Sequence, residues 1–473
     1  MPPVASDETF SFQRALPVET GYDLIVAGGG PGGTAAAISA GRLGAKVLLL
    51  EATGCLGGMG TGGLVSNWSD VADGEKMIVG GLMAEIIETM YSRGQFRPGI
   101  NPNVWRKQLH SFLGYNAEGL KLLLDELCMQ AGVELRFFTR MVEVDHDGLA
   151  VKGVIIHNIE GLRYVRGKAF IDATGDAVLA DLCGAACFEA GRDTPHIMPP
   201  TLCTAQASID WAIWTEGQLS STAEHLKTTQ QAAVYQAIAD GFFTQPDRHV
   251  PGLFRNGPTT AIMNAGHIFG MNALNCRSLS DGMMQGRRFA EEYVRFFRKY
   301  LKGCERMEFV TTAGLMGVRE SRRIAGEYEL NFRDFALRRS FPDQIAIYNK
   351  PVDRHVNNVS DQEWARMMGG FMNERPGPGE YYGIPYGILV PRGSTNLWVA
   401  GRCNSSDTQV YAAIRDQPAC FMMGQAAGTA AVQSMATGQP ACDLDTAQLV
   451  ETLRKAGAYL PQAECSRQMT RDP

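Results

Sequence analysis

The sequence predicts an α/β fold: a Rossmann-type parallel sheet with a β-meander, joined to a discontinuous mixed α+β region. Three observations predict it. Tyr22 to Ala27 form a short apolar strand that runs into Gly28-Gly29-Gly30-Pro31-Gly32-Gly33, and an Ala-rich helix from Thr34 to about Leu43 follows. Further strands, Val133–Phe138, Met141–Val144, Val151–Ile156 and Arg163–Ile171, come after a helix, and the last three read as the meander. Near the other end, a strand over Asn396–Ala400 precedes a long small-residue helix from Ala419 to about Met435.

Gly28, Gly30 and Gly33 match G-x-G-x-x-G in its full context. A second strand, Lys46 to Leu50, ends at Glu51. Gly28 permits a tight turn, Gly30 lets backbone approach a pyrophosphate, and Gly33 lets the helix pack on the strand. Pro31 and Gly32 open the helix, whose N-terminus favours phosphate. Glu51 suits the two hydroxyls of an adenosine ribose and disfavours a 2′-phosphate. Gly58, Gly60 and Gly63 match the same pattern but follow no strand, so they are not read as a second nucleotide site.

The loop after Glu51 selects between dinucleotides. Ala52 to Gly63 is long and Gly-rich, which suits an extended FAD lying against Ala52, Gly57, Gly58 and Met59. Asn116 is the expected cap of a helix that carries Leu120, Leu123, Leu124 and Leu127 and stops at Gly132. Val142 on the meander is a further expected cofactor contact. The strand to Ile171 leads into Asp172-Ala173-Thr174-Gly175-Asp176, and these small residues, Ala173 to Asp176, bring backbone near a cofactor. Gly401 and Arg402 follow the later strand. Gln417 and Pro418 start the long helix, whose N–H groups face a flavin and stabilise negative charge on it.

The composition narrows the partners. Of 473 residues, 45% are hydrophobic and 20% charged, which excludes a disordered chain. Forty-four Lys+Arg against 50 Asp+Glu give a net charge of −6, which argues against nucleic acid. No apolar run has the length of a membrane span, and Met1 to Thr20 has no signal-peptide pattern. The 11 cysteines have neither a disulfide framework nor a zinc spacing, so free thiols, a cytoplasmic location and no metal are expected.

Leu24 to Gly63, Phe170 to Gly184, Gly314 to Phe335 and Tyr382 to Ala431 resemble the FAD-dependent oxidoreductases of the glutathione-reductase-like superfamily. The third stretch reads Gly-Leu-Met-Gly-Val-Arg-Glu-Ser-Arg-Arg-Ile-Ala-Gly, and the fourth contains Gly401-Arg402-Cys403-Asn404-Ser405 and Gly424-Gln-Ala-Ala-Gly428. The resemblance implies an FAD-binding fold and a redox role. Residues from about Asp193 to Thr260 do not resemble the family. Where the family has a His after Gly-Arg-Cys, this chain has Asn404 to Val410 without one.

The expected layout is an FAD-binding domain over 1–80, 110–190, 310–330 and 395–473, with a substrate or cap region over 190–310 and 330–395. The second region is expected to hold a helical insertion (Glu216 to Phe243) and a helix from Asp281 to about Lys302. A last helix starts from a capping box, Asp445 to Gln448, and a mobile Arg-Asp-Pro tail follows. Among eight histidines, His267, with Asn272, is the candidate for proton transfer and substrate orientation; a structural role is the alternative. Arg319 heads Arg319-Glu320-Ser321-Arg322-Arg323, which either binds a carboxylate or forms a structural ion-pair knot. Tyr386, with Tyr381 and Tyr382, is a candidate for lining the pocket.

The expected activity is a dehydrogenase or oxidase that moves a hydride from a small polar or hydroxylated substrate to N5 of non-covalent FAD. The electron acceptor, oxygen or another carrier, and the oligomeric state stay open. The alternative is an NAD(P)H-using flavin monooxygenase; a non-redox use of FAD is a third reading.

Overall fold

Short strands of large aliphatic residues form the centre because they are buried on both faces. The computed structural model describes residues 9–194, 196–216, 223–249, 252–372 and 375–462. Its main sheet is parallel, in the order Leu397–Val399, Ala169–Asp172, Leu24–Ala27, Val47–Leu50, Glu134–Arg136. Strand side chains alternate between faces. Leu24, Val26, Val47 and Leu49 therefore pack on one side with the helices, while Ile25, Ala27, Leu48 and Leu50 pack on the other. That second side is covered by Val144, Val154 and Val165 of the meander.

Two helices hold the first side. Pro31–Arg42 and Gln417–Thr437 approach so closely that a Cβ on Gly424 would lie 2.0 Å from the Gly32 carbonyl oxygen. A Cβ on Gly428 would lie 2.2 Å from that of Ala36. The small-residue composition of the long helix is thus a packing requirement against the nucleotide-type helix. Asn116 caps the Ala117–Gln130 helix by accepting from the N–H of Glu118.

Several boundaries differ from expectation, each for a local reason. The single strand expected over Arg163–Ile171 is two strands in two sheets: Gly161–Arg166 joins the meander and Ala169–Asp172 the central sheet. The break falls at Gly167, where a Cβ would press on Ile25, and the N–H of Lys168 donates to the Asp23 carbonyl. The helix expected from Asp281 begins at Cys276, because Asn275 caps it through Ser278 N–H. Asp445 accepts from the N–H of Gln448, but its own N–H donates to Gln439 Oε1. Within the expected insertion, a helix runs Ala223–Ala239; residues 217–222 and the Arg-Asp-Pro tail lie outside the described residues.

The second region has its own sheet and core. Gly252–Arg255, Ala261–Asn264, Thr204–Ala207 and Glu308–Thr312 pair antiparallel in that order. Phe289, Tyr293, Phe296 and Phe297 of the Cys276–Tyr300 helix pack with Trp214 and Phe243 beside it. Among the described residues, no helix is long and apolar enough to cross a membrane.

Candidate functional site

The strand order of the parallel sheet reverses between Leu24–Ala27 and Ala169–Asp172, and such a switch point opens a crevice at the strand carboxyl ends. Gly28 lies there with φ +102°, and a Cβ on it would stand 2.4 Å from the Ala173 carbonyl oxygen. A Cβ on Gly33 would stand 1.8 Å from the Gly28 carbonyl oxygen. Gly30, by contrast, would meet nothing within 4 Å. The loop is therefore closed toward the protein and open at its tip, before the first turn of Pro31–Arg42. That is the cradle a dinucleotide pyrophosphate requires.

Glu51 ends the adjacent strand and is buried. One carboxylate oxygen accepts from Gly29 N–H at 2.7 Å, and the other from the N–H and hydroxyl of Thr53, each at 2.7 Å. The acid is thus held against the glycine loop. Ala52 follows it directly. Gly57 donates its N–H to the Gly29 carbonyl, which lays the second glycine stretch, including Gly58, alongside the first. Val142 is half-exposed at a bulge in Arg140–Asp147, three residues beyond Thr139, whose N–H donates to the Glu51 carbonyl.

On the other side of the crevice, Asp172 organises the Ala173–Asp176 loop. Its carboxylate accepts from the N–H and hydroxyl of Thr174 and the N–H of Ala180, and burial raises its pKa. A Cβ on Gly175 would meet the Arg402 guanidinium at 2.5 Å. Arg402, next to Gly401, donates to the Val318 carbonyl at 2.8 Å and lies 3.5 Å from Asp176. These residues fit FAD: an open glycine tip, a buried ribose-type acid and a helix N-terminus.

The crevice continues into a cavity between the two regions. Its lining includes Met59, Leu64, Val65, Arg402, Gln417 and Pro418, and also Thr201, Phe254, Ile262, Arg319, Asp353 and His355. Gln417 is fixed from three directions. Its Oε1 accepts from Trp68 Nε1 and the Tyr115 hydroxyl, and its Nε2 donates to the Val65 carbonyl at 2.7 Å. At the rim, Lys350 stands buried between Asp70 and Asp416, 3.2 Å from each, and donates to the Ser69 hydroxyl at 2.8 Å. Burial works against its charge, but the two carboxylates hold its pKa above the ordinary lysine value.

Arg319 reaches the cavity wall and donates to the Pro199 carbonyl and to Thr201 Oγ1. Burial first, then Arg415, draws its pKa down to about 10. The rest of its cluster fans away. Glu320 accepts from Met198 N–H, Arg322 pairs with Asp181 and Glu189, and Arg323 donates to the Ser406 carbonyl. Of this cluster, Arg319 lines the cavity, while Glu320, Arg322 and Arg323 are engaged with other segments of the chain.

The other candidates lie elsewhere. Tyr386 is buried in the core, where its hydroxyl donates to the Ala441 carbonyl and accepts from Trp398 Nε1. Tyr382 is likewise buried, its hydroxyl donating to the Lys350 carbonyl. Neither lines the cavity. Asn272 shapes the turn before the Cys276–Tyr300 helix by accepting from Leu274 N–H. His267 is 2% exposed and sits one imidazole behind the wall.

The imidazole in front of it is His355, which sequence reasoning passed over. His267 Nδ1 bonds Asp247 Oδ2 at 2.8 Å, and its Nε2 meets His355 Nδ1 at 2.8 Å. His355 Nε2 faces Asp353 at 3.7 Å, and Asp353 is paired with Arg415 at 3.1 Å. His249 completes the group, its ring centroid 4.9 Å from that of His267 and 5.4 Å from that of His355. Burial, followed by His267, lowers the His249 pKa to about 4; burial, followed by Arg319, holds His355 well below the usual histidine range. A signal for this group was present: Asp-Arg-His-Val occurs twice, at 247–250 and 353–356.

A sequence model of the FAD-dependent oxidoreductases matches residues 23–453. Over 47 residues the chain is 51% identical to dihydrolipoyl dehydrogenase of Trypanosoma brucei brucei, a match that covers 10% of each protein. Among solved structures, a geranylgeranyl bacteriochlorophyll reductase-like protein from Thermoplasma acidophilum aligns over 93% of this chain and 84% of its own. The TM-score is 0.48 and the identity 14%. p-Nitrophenol 4-monooxygenase PnpA from Pseudomonas putida DLL-E4 aligns over 93% and 89%, with a TM-score of 0.46 and 12% identity.

Proposed function

The chain belongs to the FAD-dependent oxidoreductase family, and from that premise we propose that it is a dehydrogenase or oxidase acting on a small polar, hydroxylated substrate. FAD is its cofactor. The observation that carries the proposal is the mixed lining of the cavity. The same cavity brings Met59, Val65, Gln417 and Pro418, from the second glycine stretch and the start of the long helix, together with the polar side chains of Arg319, Asp353 and His355.

When bound, FAD supplies the hydride acceptor at N5. The protein's part is positioning. Arg319, Arg415 and Lys350 give the cavity fixed cationic donors for a carboxylate or polarised oxygen, and Asp353 and Asp416 accept from hydroxyls. Phe254 and Ile262 exclude water from the same cavity. A substrate C–H would face the flavin side while its O–H faces His355 and Asp353. Oxidation of the alcohol to a carbonyl would need a hydride acceptor, which FAD would supply, and a proton acceptor, a role open to His355 and Asp353. The final electron acceptor is oxygen or another carrier. FAD is held without a covalent bond.

The test is anaerobic mixing of the purified yellow protein with polyols, glycosides, hydroxy acids and amines. Bleaching of the flavin band by one of these classes, without NAD(P)H, is the expected result. Bleaching by NADH or NADPH alone would refute it in favour of a monooxygenase or reductase.

A further inference from the structure

We propose that His249, His267 and His355 form a binding site for one divalent first-row transition-metal ion at the wall of the substrate cavity. The candidate ligand atoms of the three imidazoles all lie within 4.8 Å of one another, and this is the one such group of three among the described residues. They come from separate segments: the turn after the Ala223–Ala239 helix, the loop after Ala261–Asn264, and the Lys350–His355 loop. Such convergence has to be built by the fold.

The hydrogen bonds around the cluster favour a cation. Asp247 draws the N–H of His267 to Nδ1, at 2.8 Å, which leaves Nε2 as a lone pair. Asp353, 3.7 Å from His355 Nε2 and so acting by charge rather than through a hydrogen bond, favours the N–H on that nitrogen, which leaves Nδ1 as a lone pair. In that arrangement His267 Nε2 and His355 Nδ1 face each other at 2.8 Å as two acceptors. A shared proton would make an imidazolium inside a buried site near Arg319. A metal ion satisfies the same lone pairs without protonating a ring. Carboxylates on the outer ring nitrogens are also what metal-ligating histidines use to fix tautomer and orientation.

The distances agree with one ion. Metal–nitrogen bonds of about 2.0–2.1 Å allow two ligand nitrogens to be at most about 4.2 Å apart. The widest separation of 4.8 Å must therefore close by about 0.6 Å. His249 can supply that movement, since it is partly exposed on an irregular segment. Three imidazoles without a thiolate or a carboxylate cage suit zinc, copper, nickel, cobalt or iron(II) rather than magnesium or calcium. An ion on His355 Nδ1 would stand directly behind the point where His355 lines the cavity.

The site is tested on the holoenzyme, independently of turnover, so its failure does not bear on the hydride-transfer reading. The flavoprotein is dialysed against a chelator, loaded with Zn²⁺, desalted, and assayed for zinc and flavin. About one zinc per flavin is expected for the wild type, and less than about a tenth of that for His249→Ala with flavin retained. Asp247→Asn keeps the shape of the acid that holds His267 Nδ1 and should weaken zinc binding about 10–100-fold; it also serves if His249→Ala loses its flavin. A wild-type protein that retains no zinc, or variants that retain as much as the wild type, would overturn the proposal.

Discussion

Replacing Lys350 with Met removes a buried cation and leaves Asp70 and Asp416 facing an apolar side chain. Lys350 Nζ lies 3.2 Å from a carboxylate oxygen of each acid. With an effective dielectric constant of about 20, each contact is worth about 5 kcal/mol of Coulomb attraction. Most of that offsets the cost of burying the charges. Breaking such an arrangement by removing one partner typically costs about 3–5 kcal/mol, because the remaining charges stay buried and unpaired. An unfolding entropy of about 2.1 cal/mol/K per residue gives about 1 kcal/mol/K for the whole chain. The expected fall in Tm is therefore about 3–5 °C at pH 7, read by flavin release on heating. Lys350→Met combined with Asp70→Asn and Asp416→Asn should regain most of the loss.

The pH dependence has a definite sign. Burial acts to raise the Asp70 pKa, but Lys350 and His110 hold it below the usual carboxylate range. A depressed carboxylate contributes stability above its unfolded value, about 3.9, and loses it as pH falls through the folded value. The deficit of Lys350→Met should accordingly shrink below about pH 4, as Asp70 takes up a proton. A Lys350→Met protein with the wild-type Tm at pH 7 would refute the reasoning.

Three further outcomes follow from the geometry. Gly33→Ala should abolish flavin retention, since its methyl group would lie 1.8 Å from the Gly28 carbonyl oxygen; a yellow, stable variant on size-exclusion chromatography would contradict this. Arg319→Lys should raise KM more than it lowers kcat for a carboxylate-bearing substrate by about tenfold or more, because a forked donor is lost; steady-state kinetics on the substrate found by flavin bleaching decides it. Acid precipitation should leave the yellow colour in the supernatant, and colour in the pellet would demonstrate a covalent flavin.

The nucleotide half of the site was legible in the sequence because its chemistry is local. A strand, a tight glycine turn, a helix N-terminus and a following acid lie within about 30 residues; Gly28 and Gly33 answer contacts that their neighbours impose, and Gly30 leaves the tip of the loop open. The long small-residue helix was readable for a related reason, although its main constraint turned out to be its seam with Gly32 and Ala36. The strand expected over Arg163–Ile171 shows where that locality ends. Nothing in its apolar run says that Gly167 passes the chain from one sheet to another.

Residue pattern by itself determined the sheet that holds FAD, the acid beside it, and Arg319 as a charge worth placing. Tertiary structure alone decided what lines the cavity. It put Tyr386 into the core, left His267 behind the wall, and brought His355, Asp353, Lys350 and Arg415 to the cavity from distant segments. Even the repeated Asp-Arg-His-Val carries no meaning until its two copies, 106 positions apart, meet around His267. The physical reason is that backbone cradles are specified by short-range sterics, which the neighbouring residues encode. A side-chain cluster exists only once long-range packing has closed the loops that carry it.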